Sequence, residues 1–211
     1  MKKLLIMVFM SCSISLIAQD NVTKNDEIKT LFGGEIAGGF YGSYDMKVTS
    51  FTKNAGLMTG GKGGWIINHQ LVVGGGGFGL STHSSFDISS HETRDSFAHF
   101  QCGYGGLLIE YIIWPEKPVH ASFPLLVGAG GVRIHESENG YFLDYTIGRL
   151  LERSSFFVVE PGIDLELNLL KWIRFGVGMS YRYVYGSNLL SLTDGEMSGL
   201  SMNFSFKFGY F

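Results

Sequence analysis

Over much of this chain polar and apolar residues alternate one by one. The cleanest stretch is residues 172–185, where Ile173, Phe175, Val177, Met179, Tyr181 and Tyr183 oppose Arg174, Gly176, Gly178, Ser180 and Arg182. Residues 200–211 repeat the pattern, with Leu200, Met202, Phe204, Phe206, Phe208 and Tyr210 against Ser201, Asn203, Ser205, Lys207 and Gly209. Successive side chains of an extended strand point to opposite faces, so each stretch has one greasy face and one polar face. The same reading predicts strands over 35–47, 57–67, 71–81, 97–113, 121–134 and 154–167, which makes eight.

The breaks between them carry turn or loop chemistry. Asn68 and His69 predict a tight hairpin, the prolines at 115 and 118 a compact turn after Trp114, and 168–171 a third short turn. Residues 50–55, 82–96, 135–153 and 186–198 are polar and read as loops, with 141–151 open to a little helix or an extended hairpin. Residues 82–96, which hold His83, Asp87, His91, Glu92, Arg94 and Asp95, read as a loop and not a strand. Connections therefore alternate long and short along the chain.

Composition narrows the class. The chain has 211 residues, enough for one domain. Only 17% are charged, against about a quarter in soluble domains, and there are 30 glycines to 4 prolines. Lys2 and Lys3, the apolar run 4–10 and Ala18 before Gln19 read as a signal peptide over 1–18; Cys12 follows Phe9 and Met10, a poor lipoprotein context. Residues 19–33 read as a polar leader and 34–211 as the fold. Beyond residue 18 no apolar run reaches the 18 residues of a membrane helix, so a membrane-bound chain would have to span as a barrel, where every backbone group finds a partner.

In length, alternation and loop pattern, residues 35–211 resemble the small eight-stranded outer-membrane barrels of Gram-negative bacteria, whose short turns face the periplasm and whose longer loops face outward. The resemblance implies an all-β, eight-stranded antiparallel up-and-down transmembrane β-barrel, located in the outer membrane after signal-peptide cleavage. It also implies contact with outer-membrane lipid and with the barrel-assembly machinery, through a C-terminal signal of Phe204, Phe206, Phe208, Tyr210 and Phe211. Phe211 is out of phase with that aromatic set, so either it frays or Tyr210 takes the terminal place. Trp65, Trp114, Trp172, Tyr111 and Tyr183 suit aromatic girdles at the two interfaces.

With apolar positions facing lipid, the inward set comprises Glu35, Lys62, Glu160, Asp164, Glu166, Arg174, Arg182 and Lys207. An eight-stranded barrel is about filled by its own side chains, and unpaired buried charges are costly. Mixed signs thus predict an ion-pair network rather than a pore. Adjacency in sequence suggests pairing between hairpin neighbours, with Glu160, Asp164 and Glu166 against Arg174 and Arg182.

Enzymatic and ligand-binding chemistry is sparse. Gly74, Gly76 and Gly79 satisfy a dinucleotide fingerprint without the helix and βαβ unit it needs. Cys102 stands alone outside the signal segment, no zinc-type spacing occurs, and no metal or cofactor is assigned. A net charge of −3 offers nothing to nucleic acid. The reading is a structural or surface-interaction barrel that is not an enzyme, with loops 82–96, 135–153 and 186–198 as surfaces for a ligand. Two alternatives stand beside it. One is a lipid A-modifying enzyme using residues such as Ser96 and His99; the other is a soluble secreted barrel holding a small apolar ligand, with its apolar faces turned inward.

Overall fold

The computed structural model describes residues 38–51, 54–82, 84–87, 97–137 and 150–211. The signal-peptide and leader readings, and Glu35, lie outside the described residues. The described residues form nine antiparallel strands: β1 (Gly38–Phe51), β2 (Asn54–Ile67), β3 (Leu71–Leu80), β4 (Ser84–Asp87), β5 (Phe97–Ile113), β6 (Val119–Ser137), β7 (Leu150–Leu170), β8 (Ile173–Tyr185) and β9 (Gly199–Tyr210). Each pairs with its predecessor except at β4. The β1–β9 and β3–β5 pairings join the remaining ends, so eight strands form a closed up-and-down barrel without a free edge. Among the described residues no helix is long and apolar enough to cross a membrane.

The tight turns follow from local chemistry. Asn68 and His69 both adopt positive φ, 52° and 58°, and the Gln70 amide donates to the Ile67 carbonyl, the geometry a type I′ hairpin requires. At 114–118 the Lys117 amide closes onto the Trp114 carbonyl at 3.0 Å. These turns, with the one at Lys171 and Trp172, lie at one end of the barrel.

At the other end the strands outrun the polarity signal. Residues 50–55 are not a long loop: Phe51 pairs with Asn54, so β1 and β2 continue as a polar hairpin with two residues between them. Within 82–96 the chain forms β4, which pairs with residues 97–100 of β5 where β3 has already ended. β6 and β7 likewise extend into 135–153. Strand pairing satisfies backbone groups whatever the side chains, so polar residues beyond the apolar stretch continue the ladder.

Face assignment is consistent along every wall. On β7 the exposed positions Leu167, Leu165, Ile163, Val159 and Phe157 alternate with buried Glu166, Asp164, Glu160 and Val158. From Leu167 to Phe157 is ten residue steps, about 33 Å along a strand at ~3.3 Å each. At a tilt of ~40° that gives an apolar band ~25 Å tall, the height an outer-membrane barrel presents to lipid. Trp65, Trp114, Trp172 and Tyr111 are exposed near the tight-turn rim and Tyr183 near the other.

One wall is built almost without side chains. Gly60, Gly61, Gly63 and Gly64 of β2, Gly74–Gly77 of β3, Gly105 and Gly106 of β5 and Gly128 of β6 stand side by side in the ladders. A Cβ on Gly128 would press on the Gly105 carbonyl oxygen and the Gly106 Cα, so the curl of the wall at β5–β6 needs glycine there. This accounts for the glycine spacing at 74, 76 and 79, which lies within a strand.

Candidate functional site: the charged interior

Inward positions hold apolar layers towards both ends and a charged layer between them. At the tight-turn end Ile66, Val72, Leu108, Ile112 and Tyr41 pack together with Phe211. Phe211, out of phase with the aromatics before it, turns inward: it stacks on Tyr41 at 6.2 Å and lies 3.8 Å from the Arg174 guanidinium. Phe206, Phe208 and Tyr210 face outward. At the loop end Phe78, Phe100, Tyr104, Val132, Phe156, Val184 and Met197 form a second apolar layer.

Between these layers the described residues bury five acids, Asp45, Glu110, Glu160, Asp164 and Glu166, and five bases, Lys47, Lys62, Arg174, Arg182 and Lys207. Among the described residues these charges balance, as a low-dielectric space requires if they are to stay ionised. Nearest the tight turns, the Lys207 ammonium donates to Glu110 at 2.5 Å and Glu166 at 2.6 Å. Tyr41 donates its hydroxyl to the other Glu110 oxygen. Glu166 also accepts from Ser122 at 2.6 Å, meets His120 Nε2 at 3.2 Å and has Arg174 at 3.9 Å.

One level up, Lys62 sits between Asp164 at 3.4 Å and Asp45 at 3.5 Å. Above that, Lys47 meets Glu160 at 2.5 Å, and Glu160 accepts from Tyr104 at 2.6 Å and Ser180 at 2.5 Å. Lys47 also lies 3.3 Å from the centre of the Phe78 ring. Arg182 comes next, donating to the Met197 carbonyl at 3.0 Å and Thr49 at 3.2 Å. A cavity of about 20 Å³ lined by Lys47, Lys62, Glu160, Ser180 and Asn203 has room for about one water molecule.

Of the residues singled out from sequence, Lys62, Glu160, Asp164, Glu166, Arg174, Arg182 and Lys207 all lie inside. Their pairing differs from expectation. Lys47–Glu160 joins β1 to β7, Lys62–Asp164 joins β2 to β7, and Lys207–Glu110 joins β9 to β5. Arg174–Glu166, at 3.9 Å, is the hairpin-neighbour pair present; Arg182 turns to backbone and hydroxyl oxygens. Adjacent inward positions on neighbouring strands share a wall, while long side chains reach across the narrow lumen to the far one.

Four further contributors, Asp45, Lys47, Glu110 and His120, went unassigned in the sequence. Each has the inward parity of its strand. Glu110 was the hardest to see, because its strand is apolar on both faces from Leu107 to Ile113.

Ser122, His120 and Glu166 have the residue types of a hydrolytic triad but not its wiring, since serine and histidine both address the same carboxylate. The described residues contain no cluster of three or more metal-ligating side chains. The side chains of residues 83–99, including His83, His91, His99, Asp87 and Ser96, lie outside the described residues.

Of the loops, 186–198 is described in full. It carries the short helix α1 (Asp194–Met197), started by a capping box between Thr193 and Glu196. Met197 buries in the outer apolar layer, so the loop folds over that end of the barrel. The Asp194 carboxylate accepts from the Ser187 hydroxyl and from the amides of Ser187 and Gly186, at 3.0 and 2.9 Å. These bonds, the Ser187 hydroxyl first, hold its pKa below the usual aspartate value. Glu152 ties the loop to β7 by accepting from the Leu190 amide at 3.0 Å and the Ser191 hydroxyl at 2.5 Å.

No family model and no curated protein matches this chain. Among solved structures it is similar to Neisserial surface protein A, with a TM-score of 0.54 and 11% identity over 81% of this chain and 96% of that one. It is also similar to a major outer membrane protein from Thermus thermophilus, with a TM-score of 0.56 and 11% identity over 82% of this chain and all of that one. The chain therefore has the fold of the small eight-stranded outer-membrane β-barrels.

Proposed function

We propose that this protein is an integral outer-membrane barrel with a structural or surface-interaction role, its interior closed by ion-paired side chains rather than kept open as a conduit. The observation that carries the reading is the inversion of faces: large apolar side chains cover the outside while ten formally charged groups are buried inside, most of them in ion pairs. A soluble barrel holding an apolar ligand needs the reverse. The signal-peptide pattern of residues 1–18 supports export, and loops 82–96, 135–153 and 186–198 are the surfaces available to a partner beyond the membrane.

Electrophoretic mobility of outer-membrane fractions, compared with and without boiling in detergent, tests the membrane barrel. A heat-dependent shift is expected; absence of a shift, with the protein in the soluble periplasm, overturns the reading. Planar-bilayer recording tests the closed interior: no steady, resolved channels are expected, and their appearance would show that the charged layer lines a conduit.

A further inference from the structure

Outside the barrel, Arg133 of β6 and Arg153 of β7 are direct cross-strand partners, and Gln101 of β5 pairs with Arg133 from the other side. All three are exposed on the outer surface, because the inward positions beside them are Cys102, Val132, Ile134 and Phe156. Like charges directly opposite in a sheet repel, with Cβ atoms about 4.5–5.5 Å apart. Among the described residues neither arginine has an ion-pair partner, while the chain's paired acids lie behind the wall.

Their height is informative. The next outward pairs down the same ladder are Ser155–Gly131 and Phe157–Ala129, and Phe157 stands opposite the exposed Tyr185 of β8. Aromatics at the end of an apolar band mark the interface. Arg153 is four residues above Phe157, about 13 Å along the strand and about 10 Å along the axis at a ~40° tilt. That puts two guanidinium groups on backbone two outward positions above the aromatic level, from where their long side chains reach down to the depth of lipid phosphates.

We propose that Gln101, Arg133 and Arg153 form a binding site for the phosphate of an anionic lipid headgroup, with the acyl chains lying down the wall over Val127, Phe157 and Val159. Guanidinium forks match phosphate oxygens in geometry and charge, and one phosphate bridging both arginines removes their repulsion. The occupant is a lipid and not a free anion: the site is an open, convex wall that encloses no phosphate, and the apolar surface directly beneath it holds the rest of a lipid molecule at that spot. This inference rests on the membrane reading above.

The test uses the full protein refolded into phosphatidylcholine vesicles containing a minor fraction of phosphatidic acid, gentle detergent extraction, and native mass spectrometry of retained lipid. Wild type should retain phosphatidic acid over phosphatidylcholine. The R133Q/R153Q variant should lose that preference by about tenfold or more, the scale of a charge-assisted hydrogen bond, while K117Q/K171Q at the opposite rim keeps it. The single variants R133Q and R153Q, which relieve the repulsion, guard against a folding defect, and each should lose part of the preference. Heat-dependent gel mobility reports insertion separately. Equal retention by wild type and R133Q/R153Q, both heat-shifted, overturns the site and leaves the barrel reading intact. Displacement of the lipid by inorganic phosphate shows a free-anion site and overturns the lipid assignment. Wild type without a heat shift removes the membrane reading and this site together.

Discussion

Glu166 holds the lower charged layer together. It meets Lys207, Ser122, His120 and Arg174, from β9, β6 and β8, and Lys207 passes on to Glu110 and through it to Tyr41. Removing a cation from such a buried set leaves carboxylates without compensation, which costs about 3–5 kcal/mol. Lys207→Met should therefore lower stability by that amount in urea titrations of the vesicle-inserted protein. Adding Glu110→Gln alone, which restores the charge balance and leaves Glu166 to Arg174, should recover much of the loss; a Lys207→Met effect under about 1 kcal/mol, the scale of an exposed ion pair, would mean that water already screens the layer. Gly128 sets a different constraint. Since a Cβ there meets the backbone of Gly105 and Gly106, Gly128→Val should abolish the heat-dependent mobility shift, whereas substitution at Gly38, where a Cβ meets nothing within 4 Å, should leave it intact.

At the level of elements, what could be read from sequence depended on how different the two faces of a strand are. β8 and β9 were legible because apolar residues alternate with charged or small ones throughout. β5 and β6 were less so, because their inner faces carry Leu108, Ile112, Val132 and Ile134, which hid Glu110 and His120 among apolar residues. Alternation gives the face of a residue, and neither its height nor which strand stands opposite; hence most of the inward charged set was legible while its pairing across the lumen was not. Strand ends are hard to read from sequence for a related reason, since polarity marks where the apolar band stops and the hydrogen-bonded ladder continues past it. Loop 186–198 makes a pH-dependent prediction. Asp194 is held below the usual aspartate pKa in the folded loop. Its contribution is therefore present above the ordinary value of ~3.9 and is lost as pH falls through the lower folded value. Amide exchange at Gly186 and Ser187, corrected for intrinsic rates, should accelerate across that acid range. Asp194→Asn should show faster exchange already at neutral pH and no further acid step, and an acid step surviving in that variant would assign it to another group.

For the molecule as a whole, the pairing across the lumen bears on the order of assembly. Lys47 and Glu160 are 113 residues apart, Lys62 and Asp164 102, and Lys207 and Glu110 97. A hairpin that forms early, such as β1–β2 or β7–β8, carries charges whose partners lie on strands not yet in place. An open sheet could not rest in the hydrocarbon with those groups exposed, where each unpaired charge is costly. For the membrane barrel proposed above, insertion and closure are thus coupled, and a chain lacking a strand from either side of the lumen should stall at the membrane surface rather than accumulate as a half-inserted sheet.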